Sequence, residues 1–233
     1  EQGGYDEASL TSLSTADYTF LTPLVKALGD ELAKRNVSWS VSSLRASGVS
    51  ESLSEEIAKT RMTGLTIAPE AGTQRMRDVI NKNITDQDIT NAAEGVFSHG
   101  WDLIKLYFMI GQPTETEDDV TGIAETALRV LSVGQKHRGR RAHVNLGVSS
   151  FIPKAFTPFQ WAPMRPADEL YAKQRLIADT LRASAIPGAK GAVKFGKHVV
   201  DQSLVESAIS RADSASAKSN GLPAALSRMS TNP

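Results

Sequence analysis

An apolar strand, a turn of small and polar residues and an amphipathic helix follow one another repeatedly along this chain, and that order leaves few folds open. The pattern predicts strands near residues 7–13, 37–44, 64–69, 102–110 and 142–152. Helices are expected near 19–35, 51–60, 73–81, 86–99 and 116–135. Strands alternating with helices of this length argue for βα units and a parallel sheet. Two of the turns are distinctive: Ile67-Ala68-Pro69-Glu70-Ala71-Gly72-Thr73 and Met109-Ile110-Gly111-Gln112-Pro113-Thr114-Glu115-Thr116. Strand-to-helix turns of this kind lie at the carboxyl ends of parallel strands, where barrel enzymes keep their ligand sites.

Beyond the last strand, Pro153, Pro158, Pro163 and Pro166 keep the backbone irregular, and a helix is expected from Ala167 to Ala183. Residues 187–198 are rich in Gly and Lys and read as a loop, and Asp201 to Ala212 reads as a short helix. The Ser-, Ala- and Asn-rich stretch from Ser214 to Pro233 reads as a mobile tail. The resulting division is a barrel portion over 1–165, a helical extension over 166–212 and a tail over 213–233.

Side-chain alternation sharpens the expectation. Ile104, Leu106, Phe108 and Ile110 fall on one side of their strand, with Lys105, Tyr107 and Met109 on the other. Val144, Leu146 and Val148 oppose His143, Asn145 and Ser149, and Leu65 and Ile67 oppose Thr66, Ala68 and Glu70. Central parallel strands are usually apolar on both faces. With the apolar faces under helices, the polar faces line a common interior suited to a polar ligand. A sheet with one solvent-facing side would carry the same pattern.

The 233 residues suffice for one sizeable domain with an appendage. Lys+Arg and Asp+Glu balance at 26 each, so net charge points to neither nucleic acid nor an anionic membrane. The longest apolar stretch, Leu103 to Ile110, is far too short to span a bilayer. With no basic, apolar leader at its start, the chain is expected to be cytoplasmic and free of membrane partners. The absence of Cys excludes disulfides, cysteine nucleophiles and thiolate-bound iron–sulfur clusters within these residues.

Several residues could carry chemistry. Glu70 ends its strand, where a carboxylate can accept hydrogen bonds from ribose hydroxyls or an ammonium group, act as a base, or simply stabilise a helix N-terminus. Gly111 lets backbone approach a ligand, and Thr114 can cap the following helix. Ser14, Thr15 and Asp17 offer hydroxyls and a carboxylate in the first turn. Lys105, Tyr107, His143 and Asn145 are candidate substrate contacts on the polar strand faces. Lys105 is expected to pair with Glu70 or another acid, or to serve as an amine nucleophile. The basic run Lys136 to Arg141 reads as a solvated helix end, with RNA phosphates as the alternative. The four His show no metal-ligand spacing.

These turns resemble the radical S-adenosylmethionine superfamily, closest to the fused-type members that often carry a cobalamin-binding-like region. The matching stretches begin with Tyr5-Asp6-Glu7-Ala8-Ser9-Leu10, Leu13-Ser14-Thr15-Ala16-Asp17-Tyr18 and Ser42-Ser43-Leu44-Arg45. They continue with Thr66 to Arg75, Asp78 to Lys82, Lys105 to Thr116, Phe151 to Lys154 and Thr157 to Trp161. The resemblance implies a partial (β/α)6 barrel holding S-adenosylmethionine against a [4Fe-4S] cluster, with reductive cleavage giving a 5′-deoxyadenosyl radical. It places Ser14, Thr15 and Asp17 near the methionine amino group and adds Ser42 as a contact. Glu70 and Gly72 fall near the ribose or methionyl end, and Gly111 and Ile152 near the adenine. RNA modification is one of several reactions found on this barrel.

One departure matters. The superfamily's first strand precedes a CxxxCxxC loop whose thiolates bind the cluster, and nothing here corresponds. The expected fold is therefore an incomplete (β/α)6 barrel without its first βα unit, on the order of 30 residues, followed by a helical extension. The expected function is the S-adenosylmethionine-binding portion of a radical enzyme, inactive alone, with a cluster only in the full-length parent. A cysteine-free barrel enzyme using acid–base chemistry, or a non-catalytic binding module, stands as the alternative.

Overall fold

The computed structural model describes residues 7–10, 18–35, 37–41 and 65–211. Ser14, Thr15, Asp17, Ser42, the expected helix over 51–60 and the tail from 213 lie outside the described residues. The elements are β1 (Glu7–Leu10), α1 (Leu21–Ala33), β2 (Ser38–Val41), β3 (Leu65–Glu70), α2 (Gln74–Val79) and α3 (Asp86–Ser98). They continue with β4 (Leu103–Ile110), α4 (Glu117–Arg138), a 3₁₀ turn (Gly139–Arg141), β5 (His143–Ser150), α5 (Ala167–Arg182), α6 (Ala189–Ala192), β6 (Val193–Lys197) and α7 (Val200–Arg211).

Among the described residues every strand pairing is parallel. β1 pairs with β2, and the larger sheet runs β3-β4-β5-β6 in sequence order. This is an α/β fold built on parallel sheets, as the alternation of strands and helices predicts. Ile104, Leu106, Phe108 and Ile110 of β4 are buried, as are Val144, Leu146 and Val148 of β5. They share one core with Ile89, Val96 and Phe97 of α3 and Val120, Ile123, Val130 and Leu131 of α4. Each such side chain contributes about 1.5–3 kcal/mol by leaving water. The opposite face stays half-buried to exposed: Lys105, Met109, Asn145 and Ser149 are half-buried, while Tyr107, Lys194 and Gly196 are exposed.

Local chemistry sets the helix starts. Thr85 and Thr116 each accept an N–H from the residue three positions on, Asp88 and Asp119, whose carboxylates return the bond to the cap N–H. These reciprocal capping boxes satisfy two orphan donors each. α4 carries Glu117, Asp118 and Asp119 in its first turn and Lys136, His137 and Arg138 in its last, matching its dipole at both ends. The basic run thus ends a helix, where Arg138 Nε lies 2.8 Å from Asp102.

One expectation needs correcting. The Gly/Lys-rich stretch over 187–198 is a short helical turn and a strand, β6, paired in register with β5. Val193 and Phe195 pack against the core while Lys194 and Lys197 stay exposed. An edge strand carries lysines without losing its pairing, so its composition resembles that of a loop.

Candidate functional site: a rim at the strand ends

β3 and β4 finish side by side, and the two turns singled out in the sequence are bonded to each other. Gln112 Nε2 donates to the Glu70 carbonyl at 3.3 Å. Arg75 donates to the Thr114 carbonyl at 3.0 Å and also to Asp119, which in addition accepts from the Thr73 hydroxyl. The Thr116 N–H and hydroxyl complete the shell of Asp119 at 2.8 and 2.9 Å. Burial works to raise the Asp119 pKa, but the hydrogen bonds from Thr73, Arg75 and Thr116 outweigh it and hold the group at about 2.

Glu70 occupies an unusual backbone position. Ile67 pairs with Leu106 and Glu70 with Phe108, so β3 spends three steps where β4 spends two. The extra residue is a bulge. At its end Glu70 takes φ +69°, a left-handed conformation costly for a residue with a Cβ. Its carboxylate lies 3.2 Å from Lys82 Nζ. The expected Lys105–Glu70 pair does not form. Lys105 sits opposite Thr66, whereas Glu70 pairs with Phe108, three residues beyond Lys105 on β4 and roughly 10 Å along the sheet at strand rise.

The two glycines of these turns answer to packing. A Cβ on Gly72 would stand 2.2 Å from the Asp119 carbonyl oxygen and 2.4 Å from the Ile123 nitrogen, so the turn rests directly on α4. Gly111 has φ +86°, and a Cβ there would stand 2.9 Å from Leu170 of α5. Its N–H is also taken, donating to both carboxylate oxygens of Glu115 at 3.0 Å. That nearly buried carboxylate pairs with Lys173 of α5 at 2.8 Å.

A second brace is Arg77, fully buried in α2. It donates to the carbonyls of Ile84 at 2.8 Å, Ala71 at 3.2 Å and Gly72 at 3.4 Å, and to Asp86 at 2.7 Å. Burial tends to raise the Asp86 pKa, yet Arg77 and Arg129 together lower it. Two buried polar atoms beside the rim have no hydrogen-bond partner among the described residues: Gln112 Oε1 and Ser150 Oγ, the latter on the last residue of β5.

The structure therefore brings Glu70, Gly72 and Gly111 together. Ile152 lies half-buried two residues past β5. Lys105, Tyr107 and Asn145 lie along the open face, and His143 sits at the opposite end of β5, beside a cavity of about 450 Å³ lined by Arg140 and Gly188. Asp119, Arg77 and Lys173 escaped the sequence reading as site-forming groups. The Thr116-x-x-Asp119 spacing was a visible signal for the first, and a lone Arg or Lys within a helix offers none.

No protein-family model matches the chain. It is 35% identical over 155 residues to the uncharacterized protein MJ0966 of Methanocaldococcus jannaschii, an alignment covering 66% of this chain and 32% of that protein. The match thus spans about a third of the relative's length. Among solved structures, Streptococcus suis SuiB aligns over 83% of this chain and 39% of its own, with TM-score 0.52 and 10% identity, a likeness of fold. A sugar phosphate isomerase/epimerase from Parabacteroides distasonis aligns over 83% and 68%, with TM-score 0.38 and 12% identity.

The labels radical S-adenosylmethionine enzyme and iron–sulfur protein do not hold for the residues of this chain. The chain has no Cys, and among the described residues no group of three or more His, Asp or Glu could hold a metal ion. The residues present do not fit a cluster. Among the described residues no helix is long and apolar enough to cross a membrane.

Proposed function

We propose that the chain is the small-molecule-binding portion of a larger (β/α)-barrel enzyme, with β1 to β5 standing for the second to sixth strands of a six-stranded barrel and β6 added beyond them. The ligand sits at the rim where β3 and β4 end, and Glu70 is the group that meets its ammonium or hydroxyl groups. The observation that carries this reading is the left-handed backbone of Glu70, φ +69°, held by Gln112. Strain of about 1–3 kcal/mol at a single non-glycine residue concentrates at functional positions. Parallel strand ends are also where such folds bind ligands.

S-adenosylmethionine is the ligand that the sequence resemblance puts forward for this rim. Its ammonium group and ribose hydroxyls suit a carboxylate such as Glu70, which is partly exposed. In this reading Gly72 and Gly111 shape the rim while Glu70 supplies the polar contact. Calorimetric titration of the chain with S-adenosylmethionine tests it. The proposal expects saturable binding that Glu70→Gln weakens at least tenfold at unchanged melting temperature. Absence of binding, or equal binding by the variant, removes Glu70 as the contact.

The Glu70–Lys82 pair at 3.2 Å favours a second reading. A carboxylate beside an ammonium can pass protons to and from a hydroxylated substrate. Turnover of such a substrate without iron or reductant would select this reading over S-adenosylmethionine binding.

A further inference from the structure

The open face of the larger sheet carries two adjoining rungs of opposite character. Thr66, Lys105, Asn145 and Lys194 stand side by side on β3, β4, β5 and β6. Two residues further along, Tyr107, Gly147 and Gly196 form the next rung. The Tyr107 ring lies over Gly147, where a Cβ would stand 2.8 Å from Cδ1 and Cε1. About half of the residue's surface, 49%, is exposed. Beyond it Gly196 leaves the sheet floor bare, with only the Leu146 carbonyl oxygen within 4 Å of a built Cβ, at 3.7 Å.

The first rung is cationic and uncompensated. Neither Lys105 nor Lys194 has an ion-pair or hydrogen-bond partner among the described residues, and no Asp or Glu stands on either rung. Their backbones are two strand spacings apart, about 10 Å, and the rungs are about 7 Å apart. Two lysine side chains converge easily over Asn145 from that separation, and the asparagine amide adds a donor between them.

We propose that this face binds a planar ring joined through a short linker to an oxyanion, phosphate or carboxylate. The ring lies on the Tyr107–Gly147–Gly196 shelf, and the anion sits between Lys105 and Lys194 above Asn145. The proposal deepens the preceding one by naming a substrate class for the same half of the sheet, and it rests on that reading for the ligand at Glu70. The aromatic shelf accounts for Gly147: any side chain there displaces the tyrosine ring. The lysine pair selects the anion, and the binding weakens with salt.

Titrations of the full chain with phenyl phosphate, phenylacetate, benzyl alcohol and inorganic phosphate, followed by amide shifts, test it. Phenyl phosphate and phenylacetate are expected to bind at least tenfold more tightly than benzyl alcohol or inorganic phosphate. Lys105→Met and Lys194→Met each lower that affinity about tenfold, and Tyr107→Ala weakens the aromatic anions while leaving inorganic phosphate unchanged. S-adenosylmethionine binding is read in the same variants, so a failure at Glu70 and a failure on this face are separable. Equal affinity for benzyl alcohol and phenyl phosphate, or binding indifferent to both lysine variants, overturns the proposal.

Discussion

Lys173 of α5 reaches the Glu115 carboxylate at 2.8 Å, and the same carboxylate receives the N–H of Gly111 at the end of β4. The pair is nearly out of water, with 3% of the Glu115 side chain and 18% of the Lys173 side chain exposed. It fastens α5, which follows the proline-rich stretch, to the second strand-end turn. Removing one partner of such a pair leaves an uncompensated charge. Glu115→Gln is expected to lower unfolding free energy by about 3 kcal/mol. A second change, Lys173→Met, should restore part of it, as read from urea midpoints of the two variants.

Gly72 admits no side chain. Its Cβ position falls far inside van der Waals contact with the α4 backbone, which has no rotamer to escape into, so the helix itself must move. Gly72→Ala is expected to destabilise by about 3 kcal/mol or more. Gly191→Ala, where a Cβ meets nothing within 4 Å, should leave the melting temperature near that of the parent. Differential scanning calorimetry of the two variants makes the comparison.

Asp119 links stability to acid. Its folded pKa of about 2 lies below the ordinary 3.8, so the unfolded chain takes up its proton first as pH falls. The stabilisation, about 2 kcal/mol, is complete above roughly pH 4 and is lost as pH drops toward 2. Asp119→Asn should be less stable than the parent at neutral pH, and the gap should close across that window. Urea unfolding at a series of pH values follows it.

Glu70→Gly separates strain from function. Glycine adopts positive φ without cost, and the partly exposed Glu70–Lys82 pair is worth about 0–1 kcal/mol. The variant is therefore expected to hold or raise the melting temperature, by up to about 1 kcal/mol of stability, while losing ligand binding.

Much of this architecture is legible in the residues. The alternation at Leu103 to Ile110 and at His143 to Ser150 predicts which face is buried, because a strand's period of two leaves no choice once helices cover one side. The neighbouring strand-end turns were likewise marked by Glu70 and Gly111. What escaped involves contacts between segments distant in sequence. Asp119 meets Thr73 and Arg75 only because α4 crosses the end of β3, and no local pattern encodes that crossing. The bulge before Glu70 removes it from the row of Lys105, and a strict alternation rule misplaces it. β6 was missed because an edge strand needs only Val193 and Phe195 toward the core, too few to stand out among Gly and Lys.

In the proposed function a small molecule binds where β3 and β4 end, through Glu70. Backbone amide shifts recorded while S-adenosylmethionine is titrated into the full chain test it most directly. Saturable shifts are expected to concentrate at Glu70 to Thr73 and Gly111 to Glu115 and to disappear in Glu70→Gln. Shifts absent from both turns at millimolar ligand, or unchanged by that substitution, would contradict it.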